Sequence, residues 1–355
     1  ALKLASPKTG HVNGNITAER QFLPCLSLVL SLCLSLSPTA LAKGSKQPKG
    51  PVYGGAGPQA QADMPAGLIP VVIPADGVMR EFFVHIPPIL QESINAGQPP
   101  PSLPMVMVFH GGLGLASRMD TMAGFDPIAD REGFITVYPQ AINRHWHDGR
   151  NIEGQDKYDD VAFVNAIIDY MQRRYRIDHQ RVYACGISNG GFFCQYLALH
   201  MPDKLAAIAS VAATLPSIVA SARPALKPMS VLFILGMNDP LMPFKGGPLA
   251  FANFKDRGMV VSAADAAQFW VKANRGNKVP TSVDLPDTDP SDNCRVKVAN
   301  FSGGLKGSEV LVYGIEGGGH TWPGAAEVLP KNLVGETCRD ISASEVIWDF
   351  FKRHM

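Results

Sequence analysis

The stretch from 182 to 191, Val-Tyr-Ala-Cys-Gly-Ile-Ser188-Asn-Gly-Gly, constrains this chain more than any other. An apolar, β-forming run enters Gly186-Ile187-Ser188-Asn189-Gly190, and an apolar helical run from Phe192 to His200 leaves it. A serine between two glycines at a strand-to-helix turn is the setting of a nucleophile elbow. The turn is so tight that side chains at the flanking positions would collide, hence glycine at both. It lifts the hydroxyl out of the sheet and leaves the Asn189 amide at a helix N-terminus, where developing negative charge is stabilised. Short Gly/Ser patterns arise by chance, so the flanks give this one its weight.

An elbow needs a parallel sheet behind it, and the chain supplies the pieces. Met105 to Phe109 is a continuous apolar run, as a strand buried on both faces requires. Further strands are predicted at 134–138, 205–211, 231–235 and 308–313, with helices over 159–174, 262–274 and 342–353. Ser342 and Glu345 are spaced as a capping box. Residues 71–73 and 80–86 read as an edge hairpin, 94–104 as a Pro-rich surface loop, and 276–293 as an inserted loop. Short apolar strands alternating with helices predict an α/β fold, a mostly parallel central sheet with helices on both faces. For a chain of 355 residues, one catalytic domain over 67–355 is the simplest division.

The N-terminal region has a different character. The apolar stretch Phe22 to Leu36, then Ser37-Pro38 and the small–x–small pattern Ala40-Leu41-Ala42, read as a secretory signal peptide over 1–42. Its apolar part is about 15 residues, short of the roughly 20 that a membrane span needs. Residues 43–66, rich in Gly, Pro, Gln and Ala, read as a flexible linker. A secreted or periplasmic protein is expected, with no stable membrane insertion after cleavage. Of six cysteines, Cys25 and Cys33 belong to the leader. Cys294 and Cys338, in loop-like sequence, are the expected disulfide; Cys185 and Cys194 either pair or serve as small buried apolar residues. Charge is balanced, 32 Lys+Arg against 31 Asp+Glu, with no long run of one sign. That argues against a nucleic-acid partner and favours a neutral or weakly charged substrate.

In an open α/β sheet, function gathers at the carboxyl ends of the strands. For a serine hydrolase of this architecture the chain order is Ser, acid, His. After Ser188, one strand opens into Gly236-Met237-Asn238-Asp239-Pro240 and another into Gly317-Gly318-Gly319-His320. Asp239 is the candidate acid, and the rivals Asp160 and Asp265 fall inside predicted helices. His320 is the candidate base, since the other later histidine, His354, is the penultimate residue of a terminal helix. A serine hydroxyl is a poor nucleophile until imidazole takes its proton, and a carboxylate fixes the imidazole tautomer. The oxyanion hole should combine the Asn189 amide with one from His110-Gly111-Gly112-Leu113-Gly114, either Gly112 or Leu113, with His110 bracing the loop. Trp146 and Trp322, and less so Phe192 and Phe244, are candidate walls of an apolar substrate pocket. Asp159-Asp160 reads as a solvated helix start. Neither metal-binding nor phosphate-cradling motifs occur, so no metal or cofactor is expected.

His110-Gly111-Gly112, Tyr138-Pro139 with Trp146, Asp159-Asp160-Val-Ala-Phe163, the Ser188 elbow, Asp239-Pro240-x-x-Pro243 and Gly-Gly-His320-x-Trp322-Pro-Gly follow one another in that order. Together they resemble the extracellular polyhydroxybutyrate depolymerase-like esterases, relatives of feruloyl and acetyl-xylan esterases, over about residues 70–354. The resemblance implies an α/β-hydrolase fold, cofactor-free hydrolysis of carboxylic esters, and Ser188, Asp239 and His320 as triad. It also implies an ester partner, either a hydroxyalkanoate oligomer or polyester, or a feruloyl or acetyl ester of plant polysaccharide. A serine peptidase of related fold and an inactive binding protein on the same scaffold are the alternatives.

Overall fold

The computed structural model describes residues 67–150, 152, 157–222, 227–249 and 257–355. The expected signal peptide and linker, 1–42 and 43–66, lie outside the described residues. Among the described residues no helix is long and apolar enough to cross a membrane.

The chain opens with the hairpin β1 (Ile69–Ala75) and β2 (Val78–His85). Its turn, Asp76-Gly77, takes positive φ at both positions, 50° and 72°, a geometry that favours Asp-Gly. Next come β3 (Leu103–Phe109), β4 (Ile135–Pro139), β5 (Ile177–Ile187), β6 (Ala207–Val211) and β7 (Ser230–Gly236). A small ribbon pairs β8 (Gly247–Pro248) with β9 (Met259–Val260), and β10 (Thr281–Asp284), β11 (Arg295–Phe301) and β12 (Val310–Glu316) follow. All but the ribbon join one sheet, in the order β1-β2-β4-β3-β5-β6-β7-β12-β11-β10. The six strands from β4 to β12 run parallel, and the pairings at either edge are antiparallel. The central sheet is therefore mostly parallel, as expected, and the fold is that of an α/β-hydrolase.

Period-two alternation divides the core into two layers. Met105, Met107 and Phe109 of β3 face one side with Val231, Phe233 and Leu235 of β7, under the helices α1 (Asp160–Arg174), α2 (Asn189–His200) and α3 (Ala263–Asn274). Val106 and Val108, with Leu232 and Ile234, face the other side and pack with Ile347, Trp348 and Phe351 of α4 (Ala343–Phe351). Each fully buried side chain of this size contributes about 1.5–3 kcal/mol. The helices begin where their caps dictate: Asp159, Ser262 and Ser342 accept from Ala162, Asp265 and Glu345 amides. At Ser342 the reciprocal half of the capping box is not made, because the Glu345 carboxylate pairs with Arg131.

Two stretches depart from the sequence reading. Pro88–Asn95 is a helix that starts on its proline, a position where the missing N–H costs nothing, and the loop begins only after it. The expected insertion instead extends the sheet through β10 and β11. In β11, Val296 and Val298 are buried while Arg295 and Lys297 are exposed. Cys294 and Cys338, the expected disulfide, are here two buried free thiols; their sulfurs and an Asp292 carboxylate oxygen lie within 4.8 Å of one another. Both Asp292 oxygens already accept backbone amides, from Cys294 at 2.7 Å and Arg339 at 2.6 Å, so this carboxylate staples the two segments. Cys185 and Cys194 are buried thiols packed in opposite layers of the core.

Candidate active site

The carboxyl ends of β3, β5, β7 and β12 carry the expected residues, and local backbone geometry shows why those sequences were needed. Ser188 takes φ 56° and ψ −119°, a strained conformation held by its amide donating to Val211 O at 2.8 Å. A Cβ on Gly190 would lie 2.3 Å from Phe109 O, so glycine is required for the elbow helix to sit against β3. The loops after β7 and β12 are laced together. Asn238 N donates to Gly318 O at 3.0 Å and Gly317 N to Asn238 Oδ1 at 2.9 Å. A Cβ on Gly236 would meet two carbonyl oxygens of the histidine loop at 2.4 Å each.

This lacing brings Asp239 and His320, 81 positions apart, into a 2.7 Å hydrogen bond from His320 Nδ1 to Asp239 Oδ2. The other carboxylate oxygen accepts the amides of Leu241 and Met242, at 2.7 and 2.8 Å. The Asp239 carboxylate is thus covered and held through both oxygens. With Nδ1 donating, Nε2 of His320 is left as an acceptor. Ser188 and His320 line the same open cleft. Ser188 Oγ makes no hydrogen bond among the described residues, a geometry that does not by itself exclude it as a nucleophile.

The rival residues lie elsewhere. His354 sits at the amino ends of β7 and β12, against Ser230 and Glu309. Asp265 belongs to the start of α3, bonded to Ser262. Asp159 caps α1, but Asp160 corrects the reading of a solvated helix start: it is buried and pairs with Arg80 at 2.6 Å, its second oxygen accepting the His147 amide. Burial raises its pKa, and Arg80 opposes that shift.

Of the two loop amides proposed for an oxyanion hole, Leu113 is already committed, donating to Arg144 O at 2.8 Å. The Gly112 amide makes no hydrogen bond among the described residues, and Gly112 lines the cleft with Asn189. His145 packs so closely on Gly112 that a Cβ there would lie 2.8 Å from the ring. His110 is buried and holds the loop: Nδ1 bonds Gly111 O at 2.7 Å, and Nε2 accepts the Ala141 amide at 3.1 Å.

Trp146 and Trp322 do not line the cleft, contrary to the pocket reading. Trp146 is fully buried, stacked on Phe193 at 4.9 Å, with its indole N–H donating to His110 O. Its backbone clamps Asn189: Trp146 N donates to Asn189 Oδ1 and Asn189 Nδ2 to Trp146 O. Trp322 is buried against Phe125 and donates to Ser344. Phe244 packs at the margin of the core. Phe192 does reach the cleft, with Leu113, Leu241, Met242 and Leu249.

The sequence reading missed the polar wall of the cleft, which holds His145, Arg150 and Arg257. Arg150 is fixed by fully buried Asp148, Nε to both oxygens and NH2 to Oδ2 at 2.7 Å, and lies 4.7 Å over the Phe192 ring. Asp148 also accepts Asn189 Nδ2 at 2.7 Å. Burial lowers the pKa of Arg257, and Arg150 lowers it further; burial and Arg257 do the same to His145. An Asp-x-Arg in a polar loop carries no signal of burial, so only the fold discloses this wall.

The Esterase PHB depolymerase family model matches residues 94–244. The putative esterase NocK of Nocardia uniformis subsp. tsuyamanensis is 32% identical over 283 residues, 77% of this chain and 79% of that one. The bifunctional acetylxylan esterase/xylanase XynS20E of Neocallimastix patriciarum is 26% identical over 71% of this chain, which spans only 32% of that protein. Feruloyl esterase B of Piromyces equi is 25% identical over 61% of this chain and 39% of its own length. Among solved structures, an acetyl xylan esterase from Aspergillus awamori aligns with a TM-score of 0.48 at 13% identity, covering 72% of this chain and 94% of that one. The relative sharing 32% identity across most of both chains makes this protein a member of the Esterase PHB depolymerase family, a carboxylic ester hydrolase.

Proposed function

We propose that the protein is an exported serine esterase whose catalytic domain, 67–355, works through Ser188, His320 and Asp239. The observation that carries this reading is the 2.7 Å Asp239–His320 hydrogen bond on the cleft that Ser188 also lines. His320 Nε2 takes the Ser188 proton as Oγ attacks the ester carbonyl, and the oxyanion is received by the amides of Asn189 and Gly112. The imidazolium, held by Asp239, gives its proton to the leaving alcohol as the C–O bond breaks. Water then repeats the sequence on the acyl-enzyme and restores the serine. Export rests on the apolar stretch and cleavage pattern before residue 43.

The relatives named as feruloyl and acetylxylan esterases support short acyl or aryl esters as substrates, beside hydroxyalkanoate oligomers. The test is Ser188→Ala. The purified variant should remain folded, lose at least about 10⁴-fold in kcat, and fail to take up a fluorophosphonate label that marks the parent. Retained turnover would overturn the assignment. A screen of methyl ferulate, acetylated xylan and hydroxybutyrate oligomers then sorts the substrate class.

A further inference from the structure

The cleft is not the neutral slot that the balanced charge of the chain suggests. Its described lining holds two guanidiniums and two histidines and no carboxylate. Arg150 is the better defined of the two cations. Its side chain is only 7% exposed, and it is held from three sides: the Asp148 carboxylate, Arg257 O at 3.2 Å, and the Phe192 ring. These bonds use Nε–H, one N–H of NH2 and one of NH1. Of the five donors of a guanidinium, two remain without a partner among the described residues, on a side chain that lines the cleft. A fork fixed in this way loses little freedom when it binds a planar, two-oxygen anion.

We infer that Arg150 is a specificity-determining residue that binds a carboxylate carried by the ester substrate. The inference deepens the esterase reading and rests on it. The Arg257 side chain lines the same wall. Asp148 sits behind the fork and orients it, leaving its outer N–H groups for substrate. Carboxylate-bearing esters come in two forms: the anion on the acyl part, as in a dicarboxylic monoester, or on the alcohol part, as in an ester of a hydroxy acid.

Two pairs of neutral and anionic esters of matched shape distinguish them, monomethyl glutarate against methyl valerate, and 3-butyryloxybutanoate against 2-butyl butyrate. In the parent protein at low salt, one anionic ester should exceed its neutral match in kcat/KM by about tenfold or more, and the pair that does so identifies the side. The ratio should fall about tenfold in Arg150→Met and partly in Arg150→Lys, which keeps the charge and loses the fork. Because Arg150→Met strands the buried Asp148, the parent's ratios and the lysine variant decide the matter where it does not fold. Turnover of the neutral esters with both ratios at or below one overturns this inference alone. A ratio unchanged in either folded variant overturns the role of Arg150. No turnover of any of the four by a protein that still takes up the fluorophosphonate label overturns this inference alone, and no turnover with no labelling overturns the serine-esterase reading as well.

Discussion

His110 should make this protein lose stability in mild acid, and the size of the loss follows from where the ring sits. The imidazole is fully buried, with its centroid 5.0 Å from that of Trp146. Nδ1 faces the Gly111 carbonyl oxygen, while Nε2 faces two donors, the Ala141 amide and the Gln140 side-chain amide, both at 3.1 Å. Only the neutral ring with its proton on Nδ1 fits. A second proton would point an N–H at two others. Burial is the main cause that lowers the pKa from 6.5 to about 4, and the charges of His145 and Arg144 lower it further against the Gly111 bond. The unfolded chain therefore takes up this proton first as the pH falls. Stability is intact above about 6.5, drains between 6.5 and 4, and levels off below the folded value. A shift of this size corresponds to about 3 kcal/mol. Denaturant unfolding of the parent and of His110→Gln, from pH 7.5 to 4, reads it directly. The variant should be the weaker protein at pH 7.5 by about 1–3 kcal/mol, having lost packing and a buried hydrogen bond. That gap should narrow by about 2–3 kcal/mol on acidification, since glutamine has no proton to gain. A gap that stays constant across the range would refute the argument.

Trp146→Phe removes the indole donor to His110 O and should lower stability by about 1–3 kcal/mol, with KM for a short ester changed by less than about twofold. A tenfold rise in KM would return Trp146 to the pocket wall. Oxidation should join Cys294 to Cys338, closing a loop of about 45 residues and raising stability by about 4 kcal/mol on the chain-entropy account. Peptide mapping without reductant identifies the pair, and equal denaturation midpoints with and without reductant would sink it.

What the sequence disclosed divides along physical lines. β3, β7 and residues 182–187 of β5 were legible because strands buried on both faces must be continuously apolar, and a run such as Met105 to Phe109 has few other uses. The approach to Ser188 was legible because its glycines answer to backbone collisions, and these leave no latitude in residue type. The sheet edge at β10 and β11 was masked by the Gly, Pro and Asp of the preceding segment, although Arg295-Val-Lys-Val298 carries the alternation. The roles of the aromatic residues were misread for a different reason. Trp146 and Trp322 stand in polar or glycine-rich loops, and local composition says nothing about a loop folding inward. Asp160 was misread likewise: its partner Arg80 is 80 positions away, and no local pattern announces a buried ion pair.

The side chain of Asn189 ties these strands of argument together. It follows the nucleophile candidate and lines the cleft at the start of α2. Its carboxamide is held on three bonds, two to the Trp146 backbone and one to Asp148. Trp146 in turn donates to His110 O, at the base of the Gly112 loop, and Asp148 grips Arg150. One buried chain of hydrogen bonds therefore fixes Arg150 and both loops that carry the proposed oxyanion donors, Asn189 and Gly112. Interactions in such a site strengthen the reaction only if their geometry is set before charge develops. The same rigidity keeps the Arg150 fork in place, so substrate recognition and oxyanion stabilisation draw on a single support. A substitution at Asp148 should consequently impair both together, whereas one at Arg150 should fall chiefly on the choice of substrate.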